Sequence, residues 1–302
     1  MRIDHPVRPG LRMECADGGR LLLTQGGRPV LFARQRVTHR GLHYARTGRY
    51  VSPLAPLRAD QARDFAAFAA PGSQEWTERW AACAEAGLRA ASEGPLHEGE
   101  WNLGPVARGW FVDGNWPKLL THDPDRGHLT WFGYGDPVED ARDLLPLRAL
   151  SAPGAARVKA YRRQYREGVL PPVLVWWISG LNSPVVLDGH DRLVAALAEG
   201  GRPTVLELSR TLDATYRATM AERPIQEYEH RMAALDDGPL SRIRGTAAGR
   251  RLAETLRSIE AVPEITRAWP LAGGVAEWER AVAAHVPGWA PPSERPDDRA
   301  AG

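Results

Sequence analysis

The sequence predicts an α+β protein. A mixed α/β core spans residues 143–208, with an N-terminal α+β region over 1–142, a helical region over 209–290 and a disordered tail over 291–302. Three observations carry that expectation. A continuous apolar run, Val173–Ile178 (VLVWWI), follows Pro171-Pro172 and reads as a strand buried on both faces. A second apolar triplet, Val185-Val186-Leu187, passes through Asp188-Gly189 directly into a helical pattern. Beyond residue 210, Pro224, Gly238-Pro239, Pro263 and Gly273-Gly274 divide helical stretches at 211–222, 224–236, 246–260 and 274–286.

The elements follow in order. Residues 1–56 read as short strands and turns, with Gln25-Gly26-Gly27 a hairpin connection between two apolar runs. Residues 59–92 read as helix interrupted at Gly72-Ser73; Trp76, Trp80, Cys83 and Leu88 form an apolar stripe beyond the break. Residues 93–137 carry Trp101, Trp110, Phe111, Trp116, Trp131, Phe132 and Tyr134 among glycines and prolines. Short strands and large loops suit that composition, and the aromatics either fill a loop-rich core or line a cleft for substrate or partner.

The central segment is the most legible. Residues 144–150 (LLPLRAL) read as a strand or a strand entrance, and 155–167 as a helix with Val158, Tyr161 and Tyr165 on one side and basic residues between. Val173–Ile178 and 185–187 are strands, 192–199 is a helix with Leu193, Ala196 and Leu197 inward, and 204–208 is a strand. The order is strand, helix, strand, strand, helix, strand.

Composition narrows the classes. The chain has 302 residues, 43% apolar and 25% charged, which is ordinary for a folded protein of one large or two modest domains. A formal charge of +2 gives no global call for nucleic acid or an anionic membrane. Cys15 and Cys83 make neither a disulfide framework nor a paired metal motif, so a reducing cytoplasm is the expected setting. The opening MRIDHPVRPG lacks a signal-peptide apolar run, and no apolar stretch approaches the roughly 20 residues that cross a bilayer.

The chemistry concentrates at residues 188–192. A strand that ends in Asp188-Gly189 and runs into a helix presents unpartnered backbone N–H groups to an anion, and glycine permits close approach. Arg192 offers a forked contact to phosphate, and His190 a donor or a titratable group. Asp188 offers an acceptor to a substrate hydroxyl. Each has a structural alternative: Asp188 caps the helix, Gly189 satisfies turn geometry, and Arg192 pairs with a protein carboxylate. His122, Asp123, Asp125 and His128 form a polar cluster with metal-compatible side chains, but their spacing matches no demanding motif.

From about residue 143 to 208 the chain resembles the ParB/sulfiredoxin superfamily. The resemblance rests on LPLRAL, AARVKAYRRQYREG, PPVLVWW and above all VVLDGHDRLVAALAEG, about one fifth of the chain. It implies a nucleotide-using protein, since the superfamily includes sulfinic-acid reductases, free-serine kinases and CTP-dependent DNA-partition proteins. On it, Gly189, His190 and Arg192 match the phosphate-contacting turn, and Arg157 falls where a basic residue approaches nucleotide phosphate. Asp188-Gly189-His190 is similar to the version in serine-kinase-like members, whereas Asp191 replaces their second histidine. Sulfiredoxins carry a catalytic cysteine where this chain has His190, which argues against sulfinic-acid reduction.

The resemblance and the turn together lead to one expectation: a kinase-like transferase that moves a phosphoryl group from a nucleotide to a small hydroxyl-bearing molecule. Arg157, Gly189, His190 and Arg192 would hold ATP, ADP or CTP, with Mg2+ as the implied metal; of the catalytic pair, Asp188 would orient the acceptor and His190 would exchange a proton. The alternative is a nucleotide-dependent regulator or adaptor that binds protein or DNA. An enzyme requires a small-molecule cavity beside Gly189–Arg192; an adaptor requires a nucleotide-sensitive macromolecular surface.

Overall fold

The computed structural model describes residues 1–35, 41–105, 113–130, 144–235, 238, 240–260 and 265–291. Among them the chain is a mixed α/β structure with two sheets and a helical stretch towards its C-terminus. The first sheet is a meander of β2 (Leu11–Ala16), β3 (Arg20–Gln25), β4 (Arg28–Gln35), β5 (Gly41–Arg46) and β7 (Arg126–Thr130), each antiparallel to the next. The β3–β4 connection is the expected hairpin. Gly26 and Gly27 take φ of 55° and 77°, the paired positive values that match the twist of a two-residue turn.

The second sheet holds the core expected at 143–208. Strand β9 (Val173–Ile178) is buried along its whole length, with β10 (Ser183–Asp188) antiparallel on one side and β11 (Val205–Arg210) parallel on the other. Alternation decides where its side chains go. Leu174, Trp176 and Ile178 face the first sheet, and Val173 and Val175 face α4 (His190–Ala198). Helix α3 (Ala156–Arg166) lies on α4 through Val158 and Tyr161. The chain thus realises strand, helix, strand, strand, helix, strand, starting with β8 (Leu145–Pro146).

Helix α2 (Gln74–Ala90), preceded by α1 (Ala59–Phe68), adds Trp76, Trp80 and Leu88 to the apolar layer shared by the two sheets. The side chain of Ser73 caps α2 by accepting from the Trp76 N–H. On the far face of the first sheet lies α7 (Gly274–His285). Its Trp278 ring meets Phe32 edge-on with centroids 5.9 Å apart, and its indole N–H donates to the Leu21 carbonyl at 3.0 Å.

Several boundaries differ from expectation, each for a physical reason. The strand expected over 144–150 shortens to β8, because Pro146 has no N–H to extend a ladder. Helix α4 begins at His190 rather than Arg192, since Gly189 already makes the turn. Pro224 does not divide two helices: α5 runs continuously over Ala214–Ala233. That helix has no buried residue, so water can reach the carbonyl that Pro224 leaves without a donor.

Two strands join across the expected regional boundaries. β6 (Gly99–Pro105) pairs antiparallel with β11 and carries β1 (Arg2–Ile3) at the sheet edge. After α6 (Ser241–Glu260), β12 (Ala268–Pro270) pairs parallel with β2. Trp101 and Trp116 are buried, so they serve the core; Trp110, Phe111, Trp131, Phe132, Tyr134 and the tail from residue 292 lie outside the described residues. No helix among the described residues is long and apolar enough to cross a membrane.

Candidate functional site

The site is built where β10 turns into α4. Gly189 is the N-cap residue, with φ of 92°, and no side chain caps the helix. The positive φ favours glycine, and a Cβ here would stand 2.8 Å from Arg192 Nη2 and 3.0 Å from its Nε and Cζ, so the guanidinium would have to move. Leu193 is the first residue of the turn whose N–H finds a helical acceptor, the Gly189 carbonyl at 2.8 Å. The amides of His190, Asp191 and Arg192 precede it and have no acceptor within the helix.

Asp188 does not cap α4. One oxygen accepts the Ser52 hydroxyl at 2.7 Å and the other accepts Arg192 Nη2 at 2.8 Å. The same Nη2 donates to the Pro172 carbonyl at 3.0 Å, and both side chains are largely enclosed. Of the two expectations for Arg192, contact with an external anion or pairing with a carboxylate, the structure contains the pair. The guanidinium braces the end of β10 against the start of β9.

His190 is buried, with its ring 5.9 Å from that of Tyr50. The Arg148 backbone N–H approaches His190 Nε2 at 3.4 Å, a long contact with that nitrogen as acceptor. Burial pushes the imidazole pKa well below its ordinary value, and the charges of Arg148, Arg46 and Arg192 push it the same way. His190 is therefore neutral near pH 7. It does not act as a cationic phosphate ligand.

Two arginines stand at the first turn of α4. Arg148 and Arg157 approach the same oxygen of Asp191 at 3.1 and 3.5 Å, and the Ser151 hydroxyl donates to the other at 2.7 Å. Asp191 is buried in the first turn of α4, where a negative charge suits the helix dipole. Both guanidinium side chains keep part of their surface in solvent, 37% for Arg148 and 58% for Arg157, so they remain open to a ligand. Arg157, expected from sequence, is thus brought to the turn. Arg148, Ser151 and Ser52 were not singled out; the signal for the first two was the string LPLRALS ahead of the Arg157 helix.

Beside the turn is a cavity of about 120 Å3, walled by Leu54, Leu57, Trp80, Leu174 and Leu206. Among the described residues lining it, Asp188 and Arg192 are the charged ones. The polar cluster at 122–128 is otherwise engaged: Asp123 and Asp125 both pair with the enclosed Arg46. Among the described residues, no group of three or more His, Cys, Asp or Glu side chains converges on a metal position.

A second buried histidine lies away from the turn. His97 sits between Trp101 and Trp269, and burial with the nearby charges of Arg210 and Arg267 lowers its pKa from 6.5 to about 4, against a smaller raising effect of Glu98. His97 and His190 stay neutral in the fold, whereas the unfolded chain takes up protons below about pH 6.5. Stability should therefore fall as pH drops from about 6.5 towards 4, and His97→Gln should flatten that slope. Urea midpoints at pH 7 and pH 4.5 measure it; equal slopes for both proteins would remove His97 as a contributor.

Compared with known proteins, the chain matches no protein-family model, no curated protein and no solved structure.

Proposed function

We propose that the protein is a nucleotide-dependent phosphotransferase for a small hydroxyl-bearing molecule, carried on a ParB/sulfiredoxin-like core. The α4 amides receive the phosphates, and Arg148, Arg157 and Ser151 close around them. The observation that carries this reading is the cavity beside the same turn, because phosphate capture alone needs no second compartment. An acceptor there lies against Asp188. As its oxygen bonds to the terminal phosphorus, the bond from phosphorus to the bridging oxygen breaks. The nucleotide leaves one phosphate shorter, and the hydroxyl proton passes to the Asp188 carboxylate. Positioning and charge stabilisation supply most of the acceleration.

The roles expected of His190 and Arg192 change accordingly. Neutral His190 positions the Arg148 segment, and Arg192 orients Asp188. Among the described residues no group of three or more carboxylates converges near Asp191, which suits a Mg2+ ion carried in on the nucleotide better than one caged by protein. Arg148→Ala should weaken ATP, ADP or CTP binding roughly 10- to 150-fold, the worth of a hydrogen bond to a charged group. Calorimetric titration checks this. Product analysis over a panel of hydroxyl compounds then tests catalysis: nucleotide binding with no phosphorylated product would sink the enzyme reading.

One observation favours a nucleotide-dependent adaptor instead. Helix α5 packs on α6 with no buried residue of its own and exposes Tyr216, Ile225 and Met232. A nucleotide-sensitive change of oligomeric state, seen by light scattering, would support that second reading.

A further inference from the structure

The cavity beside Asp188 has a composition that selects its occupant. Its walls are apolar, and its two charged residues, Asp188 and Arg192, are already paired with one another at 2.8 Å. The net charge presented to a ligand is therefore zero. A carboxylate or ammonium entering this space would lose its hydration without gaining an unopposed counter-charge, which is costly. An uncharged ligand has no such cost.

Asp188 supplies the cavity's polar feature. Its carboxylate lines the space and accepts from the Ser52 hydroxyl and from Arg192 Nη2, while Arg192 Nε is itself enclosed, beyond a ligand's reach. A carboxylate oxygen accepts more than one hydrogen bond, so a single ligand hydroxyl can donate to it.

Size completes the assignment. An apolar cavity of about 150 Å3 holds benzene, so a space of this size takes a body of about four to six carbons. We propose that the cavity binds an uncharged small alcohol with an apolar body of that size, branched or cyclic, its hydroxyl donated to Asp188. This rests on the phosphotransferase reading for its catalytic meaning but not for its binding, and it separates the acceptor from polar or zwitterionic hydroxyl compounds.

The test uses the whole protein without nucleotide. Its probes are 3-methylbutan-1-ol and cyclopentanol, set against 3-methylbutanoate, 3-methylbutylamine and glycerol. Cys83 lines the cavity and is half-buried, so its alkylation by N-ethylmaleimide reports occupancy, with Cys15 on β2 as the internal control by peptide mass mapping. At an alcohol concentration of about nine times Kd, Cys83 labelling should slow roughly tenfold and the melting temperature should rise. Cys15 labelling should be unchanged, and the charged isosteres and glycerol should do neither. Ala84→Leu, which fills the cavity from α2, should weaken alcohol binding at least about tenfold.

Equal protection by the charged isosteres, or no protection by either alcohol, would overturn the proposal. The two readings fail separately. Protection by alcohols with no phosphorylated product under any nucleotide supports the cavity assignment and removes the phosphotransferase. Phosphorylation of glycerol or serine without alcohol protection keeps the phosphotransferase and removes the cavity assignment.

Discussion

Arg46→Ala is expected to destabilise the protein by about 3–5 kcal/mol, the usual result of removing one partner from a buried ionic cluster. The Arg46 side chain is fully enclosed at the end of β5. Its Nη1 donates to both Asp123 oxygens at 3.0 and 3.1 Å and to the carbonyls of Pro146 and Arg148 at 3.3 and 3.1 Å. Its Nη2 donates to the Asp123 carbonyl at 2.9 Å and pairs with Asp125 at 3.0 Å. Alanine removes this guanidinium from Asp123, which is 9% exposed, and leaves three carbonyls without this donor. Arg46→Lys should recover only part, because one ammonium cannot span a fork of acceptors.

The effect should also reach the site. Asp123 accepts the Leu150 N–H at 2.9 Å, so the same cluster anchors the segment carrying Arg148 and Ser151. On the proposed phosphotransferase reading, nucleotide affinity should therefore fall in Arg46→Ala, although that reading places no ligand against Arg46. A melting-temperature loss of roughly 6–20 °C, with a weaker titration, is the expected result. A change within about 0.5 kcal/mol, the range of ordinary surface substitutions, would show that the cluster is not holding this loop.

Arg192→Ala is the second large effect, again about 3–5 kcal/mol. Asp188 would keep Ser52 but lose its charge partner, and the Pro172 carbonyl would lose the Arg192 donor. Because that guanidinium joins the start of β9 to the end of β10, the loss is structural before it is functional. Arg192→Lys should retain the charge and recover part of the stability. The cavity assignment adds a sharper expectation: both variants should lose alcohol protection of Cys83. On the phosphotransferase proposal, ATP binding should drop far less than in Arg148→Ala. A melt unchanged within about 1 °C together with lost ATP binding would reverse that division of roles and return Arg192 to the phosphates.

The local elements were legible because their signals are local. VLVWWI between prolines can satisfy its backbone and bury both faces only as an inner strand, and β9 occupies that position. A glycine between an apolar strand and a helical pattern placed the turn at Gly189, and the paired glycines at 26–27 placed the β3–β4 hairpin. The Asp188–Arg192 pair was also within reach, since residues four apart across a helix start lie close together.

The remainder depended on contacts distant in sequence. Nothing in residues 99–105 indicates that they pair with β11, and nothing in residues 268–270 points to β2; those choices follow from which strand edges stay open after the central strands have paired. His190 is an ordinary titratable residue in the sequence. It becomes a neutral one because tertiary burial removes water and brings the charges of Arg148, Arg46 and Arg192 to bear on it. The sequence alone therefore determined the order of the central elements and the position of the turn. The tertiary structure decided which arginines face outward there, because orientation and protonation depend on the surrounding packing, which spacing along the chain does not encode.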